Sequence, residues 1–577
     1  MSPKRYSTPD ASNGNDGGVV RMNDNTFRRL SQANPSIGQQ VNEIELATAT
    51  EKSLTIRQAV RLYKRAICFS LIMSLAVVME GYDLATTGTF MGYDAFRNSF
   101  GTELDPDGNP RISAAWQAAV LNGTQAGSII GLWINGYLSE WIGYRKTMLL
   151  ALFASAAFNF IHFFAQSIGM VTAGSVLMGL PWGIYQTLTV TYASDITPAV
   201  LRPYLTTYIN LCWVSGQLVS SGVLRGCDTI NNDWGWRIPF SLQWVWVPFI
   251  CVGALMAPES PWWLVRKGRF NDARNSVRRL TTPSADIPFN LDGALALINH
   301  TNELEKAMNE GVGYRNCFRP IERRRTLIAC VVWLTQALCG AALMGYSVQI
   351  FREAGLSGED GLNMAIGQYA LGFIGTLISW FLMSHIGRRA LYFWGLCLLS
   401  CFLLVIGGLG VISQDNVGAA WALGSVLLVY TLVYNCTVGP VCYALVSEIP
   451  STRAKVKTVV LARNVYNLGG IINNIIVPRM LSPTDWNWAG KSGFFFAGLT
   501  AILAAFMFFM LPECKGRTYA ELDILFENKV PARKFHKTNV DQHAGHTTIA
   551  DTQTRASSSD TVTGDSEKPR DVRKEVV

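Results

Sequence analysis

Apolar residues in this chain come in unbroken runs of about 20, without the 3.6-residue or two-residue spacing of half-buried elements. Such a run crosses roughly 30 Å of hydrocarbon as a helix. An open chain has no other way to satisfy its backbone N–H and C=O groups in lipid. Twelve runs are predicted as spanning helices: 66–90, 115–137, 147–165, 170–193, 204–224 and 238–257, then 327–350, 363–384, 390–412, 419–440, 456–479 and 492–511. They divide the chain into a six-helix half over 61–257 and another over 326–527, joined by a polar stretch over 258–325. Residues 1–60 and 528–577 lack apolar periodicity and are expected to be disordered tails. No leader with a cleavage site precedes the first run, so that helix is expected to be the targeting segment. The fold class expected is an all-α membrane protein.

Composition agrees with the pattern. Of 577 residues, 49% are hydrophobic and 16% charged, too few charges to cover a soluble protein of this size. The net charge of +8 is largely topological. Lys and Arg crowd the central stretch (Arg266, Lys267, Arg269, Arg274, Arg278, Arg279, Arg323 to Arg325) and the loops on its side of the membrane. That side, with both termini, is expected to be cytoplasmic, and no nucleic-acid partner is implied. Most of the 12 cysteines fall inside predicted helices and none forms a C-x-x-C pair, so neither a disulfide framework nor a metal site is expected. Nucleophile-elbow, zinc-protease and Walker motifs are missing, which points away from an enzyme and from ATP-driven pumping. No cofactor is expected.

The chain also repeats itself. Gly136-Tyr-Leu-Ser-Glu140-Trp-Ile-Gly143-Tyr-Arg145-Lys146 after the second run returns as Ser384-His-Ile-Gly387-Arg388-Arg389 after the eighth. Ser194-Asp195-Ile-Thr-Pro198, with Arg202 beyond it, returns as Ser447-Glu448-Ile-Pro450, with Arg453 and Lys455 beyond it. Pro258-Glu259-Ser260-Pro261 returns as Pro512-Glu513-Cys514-Lys515. Two pseudo-symmetric halves that rock about a midplane site would produce this pattern.

These paired motifs resemble the sugar porter family of the major facilitator superfamily. Longer stretches are similar to the fungal maltose and α-glucoside permeases: Met79-Glu-Gly-Tyr-Asp83, Gly179-Leu-Pro-Trp-Gly183, Trp236-Arg-Ile-Pro-Phe240 and Pro258-Glu-Ser-Pro-Trp-Trp-Leu264. The resemblance implies a multi-pass carrier, in the plasma membrane, whose ligand is a sugar or related polyol. It also implies an ionic lock that closes the cytoplasmic side when the carrier opens outward. Glu140, Arg145, Asp195, Arg202, Glu259, Arg389 and Glu448 are the candidates for that lock, against the plainer reading of topogenic or snorkelling charges. The second copy departs from the family: Ser384 stands where an acid is usual.

Proton coupling is placed on the first helix. Glu80 and Asp83 are its only carboxylates and share one face. A carboxylate in lipid is costly unless it is paired, protonated or functional. Asp83 is the first choice for the proton carrier and Glu80 the second; a satisfied interhelical polar pair is the alternative. Sugar porters often set an Arg from helix 4 beside this acid, and their α-glucoside relatives often have a Glu in helix 2. Here those positions are Ser175 and Ser128.

Sugar binding calls for neutral donors and acceptors with aromatic faces. The candidates are Gln217, Gln336, Tyr346, Asn435, Tyr443, Asn464 and Asn467, each of which could instead serve as an interhelical bond. The resemblance assigns Gln217 and Gln336 to family glutamine positions and Tyr443 to the helix 10 aromatic, while Ala337 and Ala342 stand where polar residues are common. Three functions therefore remain open: a proton-coupled importer of α-glucosides such as maltose, a facilitator or exporter of another hydroxylated small molecule, or a sugar sensor that moves little.

Overall fold

The computed structural model describes residues 20–21, 54–90, 94–104, 110–227, 230, 232–283, 289–308, 314–345, 347, 358–412, 417–451, 454–481, 486 and 488–541. Each of the twelve apolar runs forms helix over its described residues. In the first half these are α1 (Lys64–Phe90), α2 (Ala114–Ile142), α3 (Tyr144–Phe163), α4 (Ile168–Ile196), α5 (Arg202–Cys227) and α6, which is Trp234–Ser241 continued by Gln243–Met256. In the second they are α7 (Pro320–Leu338, with Ala341–Gly345 beyond it), α8 (Gly358–His385), α9 (Arg388–Ile412), α10 (Val417–Cys436, then Val438–Glu448), α11 (Lys455–Leu481) and α12 (Ser492–Met510).

Among the described residues, eight of these helices are long and apolar enough on those grounds alone to cross a bilayer. The exceptions are α2, α5, α7 and α11. The polarity of α2, α5 and α11 faces inward, with Gln125, Asn210, Gln217 and Asn467 all lining an internal cavity. Large apolar side chains such as Trp141, Phe153, Phe249, Trp394 and Ile502 point outward instead, as lipid contact requires. Small residues let the central helices close on one another. On α2 and α4, a Cβ at Gly127 would overlap the Val176 carbonyl, and one at Gly179 the Thr124 carbonyl.

The face that carries the 258–325 stretch, hereafter the loop face, holds more structure than a polar connector. Three helices form there, Pro261–Arg266, Phe270–Leu280 and Leu291–Met308, and Ala273, Val277 and Leu280 are buried. The boundary expected at 325 moves too: α7 starts at Pro320, because Arg325 is buried against Asp523 and helix can extend where protein replaces lipid. The tails need correction at their inner ends. Thr55 caps the helix Ile56–Leu62 in a capping box with Gln58. After the helix Tyr519–Glu527, the chain stays packed to residue 541, because Val530, Ala532 and Phe535 bury apolar surface. Apart from Val20–Arg21, paired with Val540–Asp541, the rest of both expected tails lies outside the described residues.

Candidate functional site

The duplicated motifs first build matching helix caps. Gly143 turns the chain between α2 and α3 at φ 93°. The Glu259 carboxylate there accepts from the backbone N–H groups of Tyr144 (2.9 Å) and Arg145 (3.2 Å). In the second half Glu513 accepts from Arg388 (2.9 Å) and Arg389 (3.1 Å) at the start of α9. Each acid meets the orphan donors and positive dipole end of a helix. Burial pushes the Glu259 carboxyl up, and the amides of Ser260, Tyr144 and Arg145 oppose that rise. A Cβ at Gly143 would both strain the backbone and collide with this carboxylate. Gly143→Ala is accordingly expected to lower stability by about 2 kcal/mol, read as a lower melting temperature of the detergent-purified protein.

Ion pairs then close the loop face between the halves. Lys455 Nζ lies 2.8 Å from Asp195 Oδ1 and 2.7 Å from the Tyr519 hydroxyl. Lys457 of α11 pairs with Glu140 of α2. Ser260 donates to the other Asp195 oxygen at 3.0 Å, so both oxygens of that carboxylate are engaged. Arg202 stacks over the Tyr519 ring at 4.0 Å, and Trp262 meets the same ring edge-on at 5.9 Å. Nearby, Tyr314 sets its hydroxyl against Gly136, where any Cβ would displace it, and its ring against Trp133.

The lock candidates therefore divide. Asp195, Glu140 and Arg202 take part in contacts between the halves. Glu448 pairs within its own half with Arg388 at 3.7 Å. Arg145 and Arg389 contribute backbone amides to the caps, and the Arg389 side chain donates to the Phe508 carbonyl. On the loop face the cations that pair with acids of the other half are Lys455 and Lys457. Both stand in the second repeat, but the sequence does not indicate which acid each one meets.

Between the halves lies a cavity of about 330 Å³, within the roughly 300–1,000 Å³ range of small-molecule sites. Of the sugar-binding candidates, Gln217, Asn435 and Asn467 line it. Asn467 is fully buried and neither end of its amide has a partner. Asn435 Oδ1 accepts from Asn210 Nδ2 of the opposite half at 3.2 Å. Gln336 lies behind the wall and donates to the Gly439 carbonyl at 3.2 Å. Tyr443 packs edge-on against Trp333, and Asn464 donates to the Val460 carbonyl one turn back. Tyr346 lies outside the described residues. Gln125, Gln186, Trp213, Gln368 and Tyr466 line the cavity as well and were not singled out from the sequence.

The two carboxylates of α1 have different surroundings. Asp83 accepts from Trp182 Nε1 at 3.0 Å and from Gln243 Nε2, and so ties α1 to α4 and α6 within one half. Glu80 faces the cavity. Its Oε1 accepts from Gln186 Nε2 at 2.6 Å, and Gln186 Oε1 accepts from Arg463 Nε at 2.8 Å. Arg463 Nη2 lies 4.0 Å from the same Glu80 oxygen, and its guanidinium stacks over Tyr466 at 4.1 Å. A buried acid and a buried base thus meet across the interface through one glutamine. The cation missing from helix 4 comes from α11, while Ser175 contacts His162 instead. Arg463 was visible as a charge inside an apolar run, the available signal for an intramembrane functional residue.

Comparison with known proteins places these features. A family model described as sugar (and other) transporter matches residues 69–526. A maltose permease of Saccharomyces cerevisiae is 40% identical over 504 residues, covering 86% of this chain and 81% of the permease. A general alpha-glucoside permease of the same yeast is 40% identical over 521 residues, covering 89% and 84%. Among solved structures, the fold matches the major facilitator superfamily proton:xylose symporter XylE bound to 6-bromo-6-deoxy-D-glucose. The TM-score is 0.69 at 20% identity, covering 80% of this chain and 99% of that one.

Proposed function

This chain belongs to the sugar (and other) transporter family, and we propose that it carries an α-glucoside such as maltose across the plasma membrane by alternating access, driven by proton symport. The loop face is cytoplasmic in this reading, with both termini on that side. The observation that carries it is the relay from Glu80 through Gln186 to Arg463 at the wall of an amide-lined cavity. A proton on Glu80 would weaken the hold on Arg463 across the interface, and so link protonation to the motion of the two halves. Unpaired amides such as Asn467 suit sugar hydroxyls, and aromatic faces such as Trp213 and Tyr466 suit sugar C–H faces. The names of the yeast permeases supply the substrate class, and that of XylE the coupling ion.

Uptake of labelled maltose into vesicles, with and without an imposed pH gradient, tests the reading. Accumulation only when the outside is acidic is the expected result. A second reading, facilitated movement of another hydroxylated molecule, is favoured by Ala337, Ala341 and Ala342 on the cavity wall. It predicts equal rates with and without the gradient. Asn467→Ala is expected to raise the half-saturating sugar concentration about tenfold, the worth of one or two lost hydrogen bonds. Maximal rate should change far less, and concentration-dependent initial rates separate the two.

A further inference from the structure

The loop face is not symmetric. On one side, Glu140 of α2 in the first half closes on Lys457 of α11 in the second. The repeat places Ser384 opposite Glu140 and, by the spacing of Arg202 and Lys455, Tyr204 opposite Lys457. Those two residues are uncharged, and both line the same cavity. An ion pair on one side of the pseudo-twofold axis is replaced by two neutral side chains on the other. At that place a cavity of about 490 Å³ opens between Tyr204 of the first half and Ser384, Arg388, Lys515 and Arg517 of the second.

The cations here keep unused donors. Lys515 Nζ donates to the backbone carbonyls of Ser384 (2.8 Å) and His385 (3.1 Å), which leaves one of its three protons over. Arg388 is 6% exposed; its Nη2 reaches Glu448 only at 3.7 Å, and its Nε has no hydrogen-bond partner. Arg517 gives Nη2 to the carbonyls of Phe535 and Thr538, and its Nη1 lies 3.8 Å from Glu521. Glu521 is the one carboxylate among the described lining residues, and it also accepts from the Thr518 amide at 3.1 Å. Behind the wall, Glu513 is committed to the amides of Arg388, Arg389 and Lys515. The position that would carry an acid by repeat symmetry carries a hydroxyl, and among the described residues the Lys515 ammonium meets backbone carbonyls but no carboxylate, whereas Lys457 meets Glu140 on the other side.

We propose that this cavity is an anion site that takes a phosphate group, and that the bound phosphate bridges the two halves and holds the loop face closed. A phosphate has the charge and the several acceptor oxygens that a lysine, an arginine and the Tyr204 hydroxyl can satisfy together. It would meet Lys515 and Arg388 from one half and the Tyr204 hydroxyl from the other, so it binds this closed arrangement more tightly than a separated one. A soluble phosphomonoester and a phospholipid headgroup present the same chemistry.

The test uses the full chain in neutral phosphatidylcholine vesicles, titrated with radiolabelled inorganic phosphate at constant ionic strength. Saturable binding that unlabelled phosphate competes and chloride does not is the expected result. Ser384→Glu, which supplies the missing carboxylate, and Lys515→Gln should each weaken binding about tenfold or more. Lys515→Arg should retain it, as should Lys534→Gln at an exposed lysine outside the cavity. An unchanged melting temperature for Ser384→Glu separates loss of the site from loss of the fold. Repeating the titration with phosphatidylinositol in the vesicles distinguishes the sources. Loss of inorganic phosphate binding there identifies the lipid headgroup as occupant, and unchanged binding identifies a solute. Non-saturable binding, or full-strength binding by Ser384→Glu, overturns the proposal. Because the readout is phosphate and not sugar, its failure leaves the transport reading untouched.

Discussion

Glu80→Gln is expected to abolish accumulation of sugar against its gradient while leaving exchange across the membrane measurable. Glutamine can still accept from Gln186, so the local geometry survives. It cannot take up or release a proton, and a pH difference then has no handle on the cycle. One pH unit is worth about 1.4 kcal/mol per proton, so wild type should reach about tenfold accumulation and the variant none. The substitution also leaves Arg463 without its counter-charge in a buried site, and an uncompensated buried charge costs about 3–5 kcal/mol. The double variant Glu80→Gln with Arg463→Gln should therefore regain melting temperature without regaining accumulation. Asp83→Asn is the contrasting case. Its carboxylate bonds only neutral donors within one half, so the change should lower stability and preserve coupling. Accumulation that survives Glu80→Gln and vanishes in Asp83→Asn would return the proton to Asp83.

Lys455→Met carries the second large effect. It leaves Asp195, 5% exposed, with Ser260 as a partner but no cation, and weakens the closed loop face by about 3–5 kcal/mol. A shift of that size moves a two-state equilibrium more than a hundredfold. Spin labels at Lys146 of the first half and at Lys537, in the segment that packs on the second half, would read it in a background lacking the exposed Cys68 and Cys401. One short distance is expected in wild type, and a longer population should dominate in Lys455→Met. Adding Asp195→Asn removes the stranded charge and should bring the short distance back. If the distances never change, the pair is not a gate.

The bundle was legible because lipid leaves the backbone no alternative to helix, and twelve long runs satisfy that demand. The repeat was legible as well, since Glu259 and Glu513 hold the same place in each copy, but the role expected of Glu259 was an ionic lock and its carboxylate instead meets the backbone amides at a helix start. Contacts between the copies were harder to read. Asp195 and Glu140 were visible as acids at helix ends, but their partners Lys455 and Lys457 are set by how the halves meet. Spacing put Glu80 and Asp83 on neighbouring positions of one face. The rotation of α1 against α4 decided that Glu80 opens to the cavity while Asp83 turns to Trp182 and Gln243. The same limit applies to the amides. Gln336 sits just before the break at Gly340 (φ 94°), and its amide turns to a neighbouring backbone.

Proton movement driven by sugar tests the central claim most directly. Vesicles containing the full chain, in weakly buffered medium with no imposed gradient, should take up protons when maltose is added outside. The medium should turn alkaline in proportion to the maltose that enters, and the Glu80→Gln variant should give no signal. Maltose entry without any proton uptake by the wild-type protein would contradict the account.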